Sequence, residues 1–496
     1  MAFIMDCFSK VEKREPAMEG VDFSQSRPHP APRPAVIASE GIFSITFNTN
    51  DEVLSEADLQ ECFSEVKGAA IVACSFQEYD LAPAVMVPAQ PLIFVDADTA
   101  ATEASDTEAY LRMRGGGSAA NDTKDAARLA LMLAVLGDGY ELVADVAMGE
   151  PAGLCKPSPK PFAAAEAAEG GKKDKKKEKL EWYGFIRLVV FAKVGSFAGG
   201  RLAAPRSVVI PCGTKVCGNP TSDWPAPEAE AAEAVEATAS ARAAPYAEER
   251  SPDKGAVGVY FPAARLLLVS AHLHGTNEHG VPEEHFNAVR RRQVGRISEG
   301  LAWLLGFAGG AKRAVLDLAE LSSCALVVAG DLNFRVESAY TSPAEKAQGG
   351  ADFAWVEAIA SAGSAAELGG LFSGHDHLHR WLSGSGPEPC PLLFEGCVDA
   401  VGEAVTRGKA HLRSEDTAPQ LLRPTFTYGP GKPFPRKFKD KRTPSWTDRI
   451  LARNLDVALG CAELPAGEHR GCLAECRSLP LVVCSDHEAV VARFEA

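Results

Sequence analysis

Apolar and polar residues alternate through FSITFN at the start of FSITFNTN (43–50), the pattern of a half-buried strand. AAIVACSF (69–76) is instead a continuous apolar run of strand length, suited to a strand buried on both faces. Between them, SEADLQECFSEV (55–66) has helical character, with Ser55 as a candidate N-cap and acids in the first turn. LEWYGFIRLVVFAKV (180–194), AVGVYF (256–261) and RLLLVSAHL (265–273) read as further strands. EEHFNAVRRRQVGRISEGLAWLL (283–305) reads as a long helix, and CALVVAGDLNF (324–334) opens with a buried strand. The mixture of strands and helices by itself suggests a two-layered α/β domain.

Three segments break the pattern. Residues 1–39 carry alternating prolines at 28, 30, 32 and 34, which predicts an extended tail without a core, with order beginning near Ile42. KKDKKKEK (172–179) predicts a solvated, mobile loop, and the Ala/Glu-rich stretch 225–250 a short helix or a disordered insertion.

Composition narrows the class. The chain has 496 residues, 46% of them hydrophobic, enough for a substantial core. Its net charge of -15 argues against a polycation that coats nucleic acid, and nucleic acid is not an expected partner. Thirteen cysteines, none in a CxxC pair, predict buried thiols in a reducing compartment. No apolar run reaches the roughly 18 residues of a membrane span, and no signal or lipidation motif is present. The expectation is a cytoplasmic protein that meets membranes only at their surface.

The chemistry lies where apolar runs give way to short polar signatures: TFNTN (46–50), FQE (76–78), SAHLHG (270–275), AGDLNFR (329–335), WTDRIL (446–451) and CSDHEAV (484–490). One Asp at a strand end is ordinarily a turn residue or a cap. Six such signatures, rich in Asn, Asp, Glu and His, form a set. Glu78, Asp331 and Asp486 supply carboxylates, Asn48, Asn50 and Asn333 amides, and His272 and His487 imidazoles. Hard oxygen donors of this kind suit Mg²⁺ and phosphate chemistry better than zinc.

GDLNFR (330–335), PSWTDRIL (444–451) and SDHEAV (485–490) together resemble the inositol polyphosphate 5-phosphatase family of the endonuclease/exonuclease/phosphatase superfamily. TFNTN, FQE, SAHL and DKGAVGVYF (253–261) fall in the family's order, so the resemblance spans about residues 42–494. It implies a four-layered α/β sandwich with two central mixed sheets flanked by helices. In domain terms this is a tail over 1–39 and a catalytic domain over 40–496 with insertions near 151–180 and 219–252. It implies Mg²⁺-dependent hydrolysis of the 5-phosphate of phosphoinositides or soluble inositol polyphosphates by in-line attack of an activated water.

By motif position, Glu78 would bind the magnesium, with Asn50 and Asp486 beside it. Asp331 would orient or deprotonate the water, and Asn333 would hold that water and a phosphate oxygen. His487 would donate to the scissile phosphate with Asp448 fixing its tautomer, and His272 would contact a phosphate oxygen. Asn48, Lys254 and Arg449 would support the substrate. KPFPRKFKDKR (432–442) places six Lys or Arg among eleven residues directly before PSWTDRIL, so Arg442, with Lys441 and Lys439 behind it, would meet a neighbouring phosphate. Phe426 and Thr427 stand where the family carries Tyr and Lys, so the resemblance does not extend to those phosphate contacts. The other readings are an inactive inositide-binding scaffold and another superfamily phosphodiesterase.

Overall fold

The computed structural model describes residues 41–50, 52, 54–64, 66, 68–79, 119–148, 185–195, 205–212, 254–275, 283–306, 317–336, 353–386, 389–407, 421–431, 437–438, 442–459 and 472–495. The expected tail, the Lys-rich and Ala/Glu-rich stretches, and Lys439 and Lys441 lie outside them.

Two six-stranded mixed sheets face each other. The first runs β11 (Leu473–Leu479), β12 (Ala489–Phe494), β1 (Ile42–Asn48), β2 (Ile71–Tyr79), β4 (Phe185–Lys193) and β3 (Tyr140–Met148). The second runs β5 (Arg206–Pro211), β6 (Gly255–Phe261), β7 (Leu266–His272), β8 (Ala325–Asp331), β10 (Asp448–Arg453) and β9 (Val398–Asp399). Each has one parallel pair at its centre, β1 with β2 and β7 with β8, and antiparallel strands on both sides of it.

Side-chain alternation sorts the core. On β1, β2, β7 and β8 one set of alternate residues, including Ile42, Ala73, Leu268 and Val327, enters the cluster between the sheets. The opposite face of the first sheet, through Phe43, Phe47, Cys74 and Phe191, packs against α1 (Glu56–Phe63) and α2 (Ala119–Leu136). The opposite face of the second, through Leu267, Val269 and Val328, packs against α3 (Glu283–Gly306) and α4 (Leu318–Ser323). The result is helix, sheet, sheet, helix: four layers, where alternation of elements alone suggested two. Two-sided burial explains why so many of these strands are continuous apolar runs. Among the described residues, no helix is long and apolar enough to cross a membrane.

Local signals place the predicted elements. Ser55 caps α1 through a capping box with Asp58, and the helix ends at Phe63, short of the expected 66. The long helix α3 covers 283–306. One expectation is corrected: WTDRIL and CSDHEAV do not end strands. Asp448 begins β10, and Asp486 and His487 precede β12. Both strands are antiparallel to their central neighbours, with Asp448 opposite Asp331 and Val490 opposite Thr46. Their starts therefore lie at the same edge as the ends of the parallel strands.

Candidate active site

The inner face turns polar toward that edge. Ser75 Oγ donates to Ser270 Oγ at 2.7 Å or to the Ala329 carbonyl at 2.9 Å, and Gln77 Nε2 donates to Ser75 Oγ at 2.8 Å. Thr46 Oγ1 donates to Gln77 Oε1 at 3.3 Å. This buried layer stitches the two sheets together, and two residues farther along each strand stand Asn48, His272 and Asp331.

Asp331 is the hub. Asn48 Nδ2 donates to its Oδ2 at 3.0 Å, and the same amide nitrogen lies 3.3 Å from Glu78 Oε1. His272 Nε2 stands 3.5 Å from Asp331 Oδ2 and 3.7 Å from Glu78 Oε1, and His487 Nε2 stands 3.9 Å from Asp331 Oδ2. Residues separated by up to 439 positions in sequence, Asn48 to His487, thus converge on one carboxylate.

The backbone is shaped to do this. Asn50, Glu78 and Asn333 all have left-handed φ, at 52°, 50° and 56°. Such a conformation is uncommon for Glu and marks a position held by its surroundings. At Glu78 the pairing of β2 with β4 shifts register between Phe76 and Tyr79, a bulge that re-aims the side chain. The Thr49 hydroxyl donates to the Glu78 carbonyl at 2.8 Å. The Asn50 backbone N–H donates to Asn48 Oδ1 at 3.0 Å, turning the Asn48 Nδ2 toward the carboxylates, and Ser485 Oγ donates to the Asn48 carbonyl.

The two imidazoles are tuned in opposite directions. Burial pulls His487 down, but the Asp448 and Asp331 charges outweigh it and push it up to about 9. Its Nδ1 donates to Asp448 Oδ2 at 2.9 Å, and that oxygen also accepts from Thr425 Oγ1 at 2.7 Å and Thr447 Oγ1 at 3.0 Å. His272 is driven well below its usual value by burial, with the Lys254 ammonium, 2.7 Å from its Nε2, acting in the same direction. The surroundings thus favour the charged form of His487 and the neutral form of His272.

Four further predicted residues stand at different distances from this cluster. Asn333 is at the site, but its Nδ2 donates to the Leu273 carbonyl at 2.9 Å and its Oδ1 accepts from Arg335 at 2.7 Å. Its amide therefore braces two loops. Asp486 is half-buried, with Thr427 Oγ1 3.5 Å from its Oδ2. Arg442 is exposed, its guanidinium 5.5 Å from the Phe426 ring centroid, and that ring packs 4.5 Å from His487. Arg449 is not brought to the cluster. Asp448, Ile450 and Ala452 face inward, so Arg449 points to the other side, where Asp376 and Asp399 bind it at 2.7 and 2.8 Å. Arg335 and Ser485 lie in flagged motifs but were not singled out there, and Thr425 lay outside them, because a hydroxyl or guanidinium becomes informative only through its partner.

As for a cation, Glu78 Oε1 and Asp331 Oδ2 converge on one amide with no thiolate beside them, a donor set that fits a hard divalent ion. Asp331, Asp448 and His487 also offer ligand atoms within 4.8 Å of one another. Asp331 is therefore shared by two candidate seats, one beside Glu78 and one beside Asp448 and His487.

No protein-family model matches the sequence, and no curated protein matches it. Solved structures resemble it in outline. The inositol polyphosphate 5-phosphatase domain of SPsynaptojanin, in complex with inositol (1,4)-bisphosphate and calcium ion, is 14% identical. That match covers 92% of this chain and 83% of the other, with a TM-score of 0.45. Cimex nitrophorin, a ferrous NO complex, is 12% identical over 93% and 99%, TM-score 0.43. An AP endonuclease from Leishmania major is 10% identical over 94% and 89%, TM-score 0.35. Their names span different activities, and the chemistry here is carried by this chain's own side chains.

Proposed function

We propose that this chain is a divalent-cation-dependent phosphoesterase that removes the 5-phosphate of an inositol polyphosphate or phosphoinositide by direct attack of water. The observation that carries the reading is the convergence of Asn48, His272 and His487 on Asp331, with His487 held cationic by Asp448. Glu78 would hold the ion. Magnesium, when bound, supplies charge neutralisation at the phosphate.

The residues have separable tasks. Asp331 orients the attacking water and takes its proton. Asn48 fixes that carboxylate through its Nδ2. His487 donates from Nε2 to a phosphate oxygen as charge develops there, while Asp448 fixes the tautomer by accepting from Nδ1. Neutral His272 and Lys254 line the opposite side, where Lys254 brings positive charge to the phosphate. The motifs GDLNFR and PSWTDRIL, with the basic segment before the latter, point to the inositide class.

Phosphate release from inositol (1,4,5)-trisphosphate and phosphatidylinositol (4,5)-bisphosphate vesicles, beside strand cleavage of an abasic DNA duplex read on a denaturing gel, tests the substrate. Release from an inositide with Mg²⁺, lost in EDTA, is the expected result. Turnover of none of the inositides contradicts it, and cleavage of the DNA alone moves the chain to a phosphodiesterase.

A further inference from the structure

The first sheet holds a buried ion pair that no step above uses. Arg187 on β4 donates from Nε to Asp145 Oδ1 at 2.8 Å and from Nη2 to Oδ2 at 2.7 Å, a bidentate pair. Both side chains are sealed from solvent. Ile186 and Leu188, and Ala144 and Val146, point into the inter-sheet core, so Arg187 and Asp145 occupy the opposite, helix-covered face. Two charges removed from water are expensive, and a hydrophobic pair of equal volume in such a place is often as stable or more so. Stability alone therefore gives no reason for the pair.

Its location gives one. Arg187 lies opposite Phe76 in the β2–β4 ladder, and the register shift begins at that rung. Glu78 sits inside the bulge with its left-handed φ, and Tyr79 closes it, opposite Phe185. The Arg187 guanidinium lies 5.2 Å from the centroid of the Tyr79 ring, and that ring packs against Phe76 at 5.1 Å. Asp145 fixes the guanidinium in two hydrogen bonds, and the guanidinium in turn fixes Tyr79. On the other side of the bulge, Thr49 holds the Glu78 carbonyl. Glu78 is thus clamped at both ends in a conformation that a free chain would leave.

We propose that Arg187, oriented by Asp145, is a positioning residue for Glu78: through the Tyr79 ring it locks the bulge that aims the Glu78 carboxylate at the cation. The inference rests on the proposed function, in which Glu78 holds the ion. Outer partners that orient a ligand typically govern metal affinity by 10–100-fold.

The test is substrate-free Mg²⁺ binding by titration calorimetry, together with the Mg²⁺ dependence of phosphate release and a thermal melt. In Arg187→Met combined with Asp145→Leu, neither charge is left without its partner. The expected result is Mg²⁺ affinity weakened about tenfold, with kcat at saturating Mg²⁺ near wild type. Tyr79→Leu, which keeps the ion pair, should weaken Mg²⁺ equally, and Arg187→Lys, which keeps charge without the planar fork, should recover part of the affinity. A pair that only supports the fold would lower the melting temperature and leave Mg²⁺ affinity unchanged. That result in the double variant, or in Tyr79→Leu should the double variant not fold, overturns the inference and leaves the proposed function standing. Wild-type protein that binds no Mg²⁺ overturns both.

Discussion

In the proposed function the chemistry turns on His487, and its charge comes from its neighbours. Burial opposes the imidazolium, and Asp448 and Asp331 together overcome burial. If the cationic form donates to the phosphate, kcat/KM should hold through neutrality and fall as pH rises through about 9. In Asp448→Asn the opposing pull of burial prevails, so this limb should move toward neutral pH and the rate at pH 7 should drop by about 10²-fold or more. A pH–rate profile of both proteins checks it, and an unmoved limb counts against the assignment. Stability carries the same sign. The folded value exceeds the unfolded one, so the contribution is full below about 6.5 and is lost as pH rises through about 9. Much of this was readable in the motifs, since SDH and WTD name both partners. Thr425, which donates to Asp448 from 23 positions away, was not, because nothing in PTFTY marks a hydroxyl for that purpose. Arg449 shows the converse. The motif made it a substrate contact beside Asp448, yet neighbours on a strand face opposite ways, and Arg449 closes a buried pair with Asp376 and Asp399.

At the scale of elements, the site is an edge. The parallel strands β1, β2, β7 and β8 each lose their apolar inner residues near the C-terminal end and continue with Asn48, Glu78, His272 and Asp331. The antiparallel β10 and β12 bring Asp448 and His487 to the same edge from the other direction. Runs such as AAIVACSF and CALVVAG announced the central strands because burial on both faces leaves few polar positions. The outer elements β3, β5 and β11, and the helices α5 (Phe353–Ser361), α6 (Ala365–His375) and α7 (His377–Leu382), gave weaker patterns, being short or flanked by Gly and Ala. Close pairing of the parallel strands is itself testable. A Cβ added at Gly330 would lie 1.9 Å from the Ala271 carbonyl oxygen, a backbone atom that cannot swing away. Gly330→Ala should therefore cost about 3–5 kcal/mol of stability by denaturant titration, at the severe end for a single substitution. A cost below about 1 kcal/mol would mean that β7 and β8 are not paired there.

At the scale of the whole molecule, the two sheets repeat one plan, a parallel pair flanked by antiparallel strands, and face each other so that the two parallel pairs end at one edge. The layer of Ser75, Ser270, Gln77 and Thr46 joins the sheets just beneath that edge. Asn48 on one sheet then meets Asp331 on the other at hydrogen-bond distance. The number of layers was legible only through the family resemblance, because local periodicity records that a strand is buried but not how many layers cover it. The central claim, that this shared edge hydrolyses a phosphate ester with a bound cation, is met most directly by one comparison. Wild type and Asp331→Ala, matched for folded protein, are assayed for phosphate release from inositol (1,4,5)-trisphosphate with Mg²⁺ and with EDTA. The account predicts release by wild type in Mg²⁺ alone and a loss of at least about 10³-fold in the variant. Release that persists in EDTA, or that Asp331→Ala retains, would contradict it.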